Sequence, residues 1–102
     1  MAYAQKKYPQ SSGLLYNLAC DIVEMYKAKV TEDKTGRFGF TTHMYGQRTD
    51  YLFQIIKQED GCLLSIKTEG EDEQSGKQLS FMFAIVDNML AQLPASLACN
   101  EE

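Results

Sequence analysis

Residues 50–68, DYLFQIIKQEDGCLLSIKT, decide the fold, because they read as two antiparallel strands joined by a tight turn. Asp60-Gly61 is typical of a two-residue hairpin turn, since both residue types tolerate positive φ. With that turn, Glu59 pairs with Cys62. Side chains alternate between the faces of a strand, so one face of the hairpin is apolar: Tyr51, Phe53, Ile55, Leu64 and Ile66.

A second hairpin is predicted upstream, over residues 29–42. Its strands, KVTE and RFGFTT, flank the segment Asp33-Lys34-Thr35-Gly36. An Asp that opens this segment and a Gly that closes it are typical of a type I turn followed by a left-handed residue.

The first helix is predicted between these strands and the amino terminus. Ser11 or Ser12 caps it by accepting a hydrogen bond from a free amide, and the helix ends near Tyr26 or Lys27. A short edge strand from Tyr3 to Tyr8 is predicted before it. Apolar residues recur at the spacing of one helix face: Leu15, Leu18, Ala19, Ile22, Met25 and Tyr26.

The second helix is predicted from about Lys77 to Leu93, where Pro94 stops it. A polar, acidic loop over residues 70–76, GEDEQSG, precedes it. Its apolar stripe follows the three-four repeat: Leu79, Met82, Phe83, Val86, Met89, Leu90 and Leu93.

Together these elements predict an α+β fold. An antiparallel sheet with one apolar face must be covered, and two amphipathic helices are available to cover it. We predict a four- to five-stranded antiparallel sheet with both helices packed on one face, in the order (β)-α-β-β-β-β-α. A chain of 102 residues supports one core, so we predict a single domain over residues 1–94 and a flexible tail over residues 95–102.

The charge balance argues against polyanionic partners. The net charge is −4, and the ten basic residues are scattered, with only Lys6 and Lys7 adjacent. Nucleic-acid binders carry a basic stripe, so we predict no binding to nucleic acid. The longest apolar run, residues 81–86, is too short to span a membrane, and the first ten residues lack the apolar centre of a secretory signal. We predict a cytoplasmic protein that does not bind membranes.

Few residues suit catalysis or metal binding. His43 is the one histidine, and together with three dispersed cysteines it gives no zinc spacing. No Gly-rich phosphate loop is present in the sequence. We therefore predict a non-enzymatic protein with no metal and no cofactor. His43, Tyr45 and Arg48, in the predicted loop over residues 43–48, are candidate ligand-binding residues, although they also fit an ordinary surface loop.

Apolar residues remain after each helix has contributed one stripe to the core. These candidate interface residues are Phe81 and Ile85 on the second helix and Leu52, Ile56 and Leu63 on the back of the sheet. They fit either ordinary partial exposure or contact with another chain. A homodimer is the simplest such contact, because two-fold dimers are the commonest soluble oligomers.

Four features resemble those of a widespread group of small bacterial domains of unknown function. They are Tyr8-Pro9 before the first helix, the DKTGR hairpin from Asp33 to Arg37, Tyr45-Gly46, and the closing helix from Lys77. The resemblance spans residues 5–93. Many of those domains have a tryptophan-glycine pair where this chain has Tyr45-Gly46. The resemblance implies a β-α-β4-α fold like half of a TATA-box-binding protein, and no catalytic residues.

Three functions are consistent with these observations. The first is a non-enzymatic cytoplasmic domain that acts through homodimerisation or contact with another protein. The alternative is a small-ligand-binding protein with a site near residues 43–48. The third is an acidic mimic of nucleic acid, which rests only on the six carboxylates between positions 59 and 73.

Overall fold

A five-stranded antiparallel sheet carries two helices on one face in the computed structural model. The model describes residues 2–44, 46–69 and 73–92, without the side chains of residues 44 and 73–75. The elements follow in the order β1 (Ala2–Tyr8), α1 (Ser12–Tyr26), β2 (Lys29–Lys34), β3 (Arg37–Met44), β4 (Gln47–Gln58), β5 (Gly61–Thr68) and α2 (Glu73–Ala91). The predicted fold class and element order are confirmed, including the strand at the amino terminus. The predicted tail, residues 95–102, lies outside the described residues.

The strands lie side by side in the order β1-β5-β4-β3-β2, and every neighbouring pair is antiparallel. Helix α1 packs over β3 and β4, whereas α2 packs over β1 and β5. The core lies between the helices and the sheet. Its largest fully buried side chains are Phe40, Phe53, Leu15, Ile22, Leu64, Ile66, Met82 and Val86. The predicted apolar face of the hairpin, from Tyr51 to Ile66, is therefore the face that the helices cover.

Helix α1 begins as its sequence predicts. The Ser11 side chain accepts a hydrogen bond from the Leu14 amide at 3.2 Å, and Lys27 ends the helix in the left-handed conformation at φ 54°. Leu15, Leu18, Ala19 and Ile22 are buried, as predicted. Met25 is 55% exposed, because it lies about 70° around the helix from the centre of that stripe.

The central hairpin has the predicted faces but a different register. Gln58 pairs with Gly61 and Lys57 pairs with Cys62, so the turn residues are Glu59 and Asp60. The predicted pairing of Glu59 with Cys62 is wrong. A shift of two positions in the partner preserves the face of every side chain, because strand side chains alternate with period two.

Gly61 explains this register. It lies in β5 with φ +142°, and a Cβ there would overlap the Tyr8 carbonyl oxygen and lie 2.9 Å from the Cα of Pro9. The glycine therefore permits β1 to approach β5 closely, and the turn is made by the two residues before it.

Helix α2 begins at Glu73, four residues before the predicted start at Lys77. Residues 73–76, EQSG, are helical where the sequence predicted a loop. This first turn contains no apolar residue, so the apolar repeat used to locate the helix gives no signal there.

Candidate functional site

The face of the sheet opposite the helices is uncovered by any described element, because α1 and α2 both pack on the other side. We call this surface the open face. The strand register assigns it these residues: Tyr3, Gln5 and Lys7 of β1; Leu63, Ser65 and Lys67 of β5; Arg48, Asp50, Leu52, Gln54 and Ile56 of β4; Arg37, Gly39, Thr41 and His43 of β3; and Lys29, Glu32 and Lys34 of β2.

Three of the predicted interface residues lie on the open face. Ile56 pairs directly with Leu63 across β4 and β5, and Ile56 is 47% exposed. Leu52 lies four residues from Ile56 on the same strand, with Gln54 between them. The aliphatic side chains therefore form two small areas separated by a polar row.

The other two predicted interface residues lie on α2, in the opposite layer of the molecule. Phe81 is 40% exposed, whereas Ile85 is only 9% exposed and belongs to the core. The prediction that Ile85 lies on the surface of α2, outside the core, is wrong. Helix α2 buries a wider stripe of side chains than the three-four repeat alone defines. The structure therefore does not bring the five predicted interface residues together on one surface.

The predicted ligand-binding loop is mostly strand. β3 continues to Met44 and β4 begins at Gln47, so His43 and Arg48 pair across the two strands on the open face. His43 is exposed, and the Arg48 side chain is 67% exposed. Tyr45 lies outside the described residues. Gly46, at φ +72°, adopts the left-handed conformation that this tight turn requires.

A shallow cleft of about 290 Å³ lies on the open face beside Arg48. Asp50 lies at its edge and accepts two hydrogen bonds at one carboxylate oxygen, from Thr41 Oγ1 at 2.5 Å and from Arg48 Nε at 3.4 Å. Lys67 and Leu52 also line the cleft. The cleft therefore presents a lysine and an arginine together with three carboxylates, those of Glu32, Asp50 and Glu69.

A close ion pair lies on the β2–β3 side of the open face. Arg37 Nε donates to Glu32 Oε2 at 2.8 Å. The hydrogen bond from Arg37 lowers the pKa of Glu32, and the same bond raises the pKa of Arg37. Both side chains therefore stay charged at neutral pH.

The fold gathers basic residues that are scattered in the sequence. Six of the ten Lys and Arg residues lie on the open face: Lys7, Lys29, Lys34, Arg37, Arg48 and Lys67. Lys7 approaches Asp60 at 3.3 Å, and Arg37 and Arg48 have carboxylate partners. Within the described part of the chain, no ion pair engages Lys29, Lys34 or Lys67. The alternation of side chains along each strand is the sequence signal for this grouping. Arg37 precedes the core-facing Phe38, and Lys67 follows the core-facing Ile66, so both cations lie on the opposite face.

Polar groups on the helix-covered side serve packing between the layers. Tyr8 donates to Asp87 Oδ1 at 2.9 Å, and Lys6 pairs with the other oxygen of that carboxylate at 2.7 Å. Burial and the Asp87 carboxylate raise the pKa of Tyr8. Tyr51 donates to the Gln78 carbonyl at 3.4 Å, and burial raises its pKa to about 12.

A second cleft, of about 560 Å³, lies where the start of α1 meets the β2–β3 turn. Tyr16 donates to Asp33 at 2.8 Å at its edge. That hydrogen bond is the main cause that raises the pKa of Tyr16 to about 12. Hydroxyl groups in the two clefts donate to carboxylates, Thr41 to Asp50 and Tyr16 to Asp33, but no histidine or cysteine is among the described residues that line either cleft.

The cysteines do not form a reactive site in the described part of the chain. Cys62 is fully buried, and burial raises the pKa of its thiol, so the thiolate nucleophile is disfavoured. Cys20 is half-buried on α1, and Cys99 lies outside the described residues. Among the described residues, no group of three or more His, Cys, Asp or Glu is arranged to hold a metal ion.

The acidic segment between positions 59 and 73 is divided by the fold. Glu59 and Asp60 form the turn before β5, whereas Glu69 follows the far end of that strand. A strand of this length separates them by roughly 25 Å. The described carboxylates therefore do not form the single acidic surface that a nucleic-acid mimic requires.

The sequence matches no protein-family model and no curated protein. In the described part of the chain, neither helix combines the length and apolar character needed to cross a membrane.

Proposed function

We propose that this chain is a non-enzymatic, cytoplasmic interaction domain that uses the open face to contact another protein or a second copy of itself. The observation that carries this proposal is the cross-strand pair of Ile56, which is 47% exposed, and Leu63, which is half-buried, on an uncovered sheet face. Exposed apolar side chains on an uncovered face are typical of interaction surfaces. The resemblance to small bacterial domains remains a prediction beside it.

The size of the open face fits a modest interface. Five strands about 4.8 Å apart, with five rows of side chains on the central strand, give an area of roughly 600 Å². Specific complexes bury about 600–1,000 Å² on each partner. The open face therefore lies at the low end of the range for specific complexes and below the range for permanent ones.

The non-enzymatic part of the proposal rests on the described polar groups. His43 is exposed and pairs across the sheet with Arg48, and the Cys62 thiol is buried on the opposite side of the sheet. A cysteine nucleophile needs a base within hydrogen-bonding reach. His43 and Cys62 lie on opposite faces of the sheet, so they do not form such a pair.

Sedimentation velocity and native mass spectrometry test self-association, from about 1 µM to about 1 mM, the range in which weak interfaces form. If the open face dimerises, Ile56→Asp weakens the dimer at least about tenfold, because it places a charge in an apolar contact. Phe81→Asp is the matched control, since Phe81 is similarly exposed but lies on α2. Loss of the dimer in the Phe81 variant alone would move the interface to the helix layer and contradict the proposal.

A small-ligand-binding function is the second candidate, and the cleft beside Arg48 favours it. Its volume of about 290 Å³ is close to the lower limit for small-molecule sites. This function predicts that Arg48→Ala removes any small mass retained by the purified protein, whereas His43→Ala has a weaker effect because His43 does not line the cleft. An adduct that survives Arg48→Ala contradicts a site at this position.

A further inference from the structure

We propose that the open face binds an acidic segment of another protein that also carries apolar side chains. This inference rests on the proposed interaction function and names the class of partner. It follows from the charge of the open face, from its apolar content, and from what a contact between two open faces would require.

The charge of the open face is opposite to that of the whole chain. Its six cations face four carboxylates, those of Glu32 and Asp50 on the strands, of Asp60 beside Lys7, and of Glu69 at the rim of the cleft. The chain as a whole has a net charge of −4. The fold thus separates a cationic sheet face from an acidic remainder, and a cationic surface attracts and orients an anionic partner.

Lys67 differs from the other five cations of this surface, which are all exposed. It lies on β5 with Tyr3 beside it on β1 and Leu52 beside it on β4, and it is half-buried. No ion pair in the described part of the chain engages it. Its ammonium group is therefore available to a carboxylate from another molecule, in surroundings where partial burial reduces screening by salt.

The aliphatic side chains favour an acidic polypeptide over a nucleic acid. Leu52 and the Ile56–Leu63 pair lie among the cations, and a sugar-phosphate backbone offers nothing that buries them. Among the described residues of the open face, Tyr3, 60% exposed on the edge strand, and His43 are the aromatic rings on which a base could stack, and they lie on β1 and β3, which are not neighbours. A polypeptide with both carboxylates and apolar side chains satisfies both parts of the surface.

A second copy fits this surface poorly. A two-fold dimer through the open face would place the same patch on both sides of the interface, so the cations of one copy would face those of the other. Like charges placed opposite each other oppose association and select against the wrong partner.

The test uses the full chain and a synthetic amphipathic peptide of about 18 residues, which spans about 27 Å as a helix and so matches the length of the eight-residue strand β5. The peptide carries Glu on one face and Leu on the other. Fluorescence anisotropy measures its affinity, and two-dimensional NMR of the labelled protein locates the contact. Saturable binding with shifts confined to the open face, and weakening as salt rises, is the expected result.

A charge-reversal pair identifies the surface. Lys29→Glu with Lys67→Glu should weaken peptide binding by roughly tenfold or more, because two attractive contacts become repulsive. Lys57→Glu with Lys77→Glu is the matched control: it changes the net charge equally, but Lys57 faces the helix side and Lys77 lies on α2. The control should change the affinity less than about twofold, since long-range charge is screened. Circular dichroism establishes that both variants fold.

Several results would overturn the acidic-partner proposal. They are an absence of saturable peptide binding below about 1 mM, an equal effect of the two charge-reversal pairs, or tighter binding of a single-stranded oligothymidylate than of the peptide. A homodimer that Ile56→Asp disrupts would overturn the acidic partner while leaving the interaction function in place. The two proposals therefore fail separately.

Discussion

The two faces of the sheet are built from alternate residues of the same five strands, yet they differ in almost every property. The helix-covered face carries contiguous aromatic side chains, with the Phe40 ring 5.3 Å from Phe53 and 5.6 Å from Tyr51. The open face carries cations, amides and a few separate aliphatic residues. Buried packing is therefore concentrated on the helix-covered face, which leaves the composition of the open face free to serve recognition.

The largest expected effect on the free energy of unfolding comes from removing an aromatic side chain of the helix-covered face. Phe40→Ala should lower the free energy of unfolding by about 3–5 kcal/mol, because Phe40 is fully buried and its removal leaves a cavity. Ile56→Ala is the open-face counterpart and should cost less than about 1 kcal/mol, since nearly half of Ile56 is already exposed. Urea denaturation measures both. Equal decreases in the free energy of unfolding for Phe40→Ala and Ile56→Ala would show that the open face is covered in solution.

The next effect concerns the edge where β1 joins the sheet. Gly61→Ala should destabilise the fold by more than about 2 kcal/mol, since its Cβ would overlap the Tyr8 carbonyl oxygen and φ +142° disfavours an L side chain. Gly13→Ala is the matched control, because nothing lies within 4 Å of a Cβ at that helical position. It should leave stability unchanged or raise it by up to about 1 kcal/mol. Thermal unfolding of the two variants tests whether the close approach of β1 to β5 requires glycine at position 61. Equal unfolding temperatures of the two variants would contradict this requirement.

A smaller effect compares two tyrosines of the same edge strand. Tyr8→Phe should cost about 1 kcal/mol, because it removes a part-buried hydrogen bond to Asp87 that joins β1 to α2. Tyr3→Phe removes a hydroxyl from an exposed side chain on the open face and should cost nothing measurable. If the two variants are equally stable, the Tyr8–Asp87 hydrogen bond contributes nothing to the contact between the layers.

The faces should also differ in their response to pH. The pKa of Tyr51, raised by burial to about 12, means that its neutral form is favoured in the fold. The stability that this shift represents is complete below pH about 10, the usual tyrosine pKa, and is lost as pH rises towards 12. On the open face Arg37 lowers the pKa of Glu32, so that contribution is present above the usual glutamate pKa and is lost as the solution becomes acidic.

Tyrosine absorbance and unfolding measured across alkaline pH test this difference. Tyr51→Phe should reduce the loss of stability between pH 10 and about 12, because it removes one of the groups whose pKa differs between the folded and unfolded states, whereas Tyr8 and Tyr16 remain. A profile that is identical in the wild type and the Tyr51 variant would contradict burial of this hydroxyl.

Much of the fold was predictable from local patterns. The stripe from Leu15 to Ile22, the Ser11 cap, the left-handed Gly36 in the first hairpin and the apolar face from Tyr51 to Ile66 are each set by residues close in sequence. The start of α2 was missed because its first turn has no apolar residue. The hairpin register was not predicted because it depends on the close approach of Gly61 to the Tyr8 backbone, and Tyr8 lies more than 50 residues away in the chain.

The candidate site was less predictable. Leu52, Ile56 and Leu63 were placed on the correct face by strand parity alone. Ile85 was assigned to the surface because the helical repeat cannot show how wide a stripe the sheet will bury. His43 and Arg48 were assigned to a loop, whereas backbone pairing extends both strands to the turn.

The sequence by itself determined the element order, the two-layer architecture and the apolar face of each element, because these depend on periodicities of two and 3.6 residues along the chain. Only the tertiary structure decided where the charges meet. Lys7, Lys34 and Lys67 are far apart in sequence; alternation along their strands places them on the same face, and the strand order β1-β5-β4-β3-β2 joins those strands into one sheet. Strand order is set by packing between distant segments, and no local spacing encodes it.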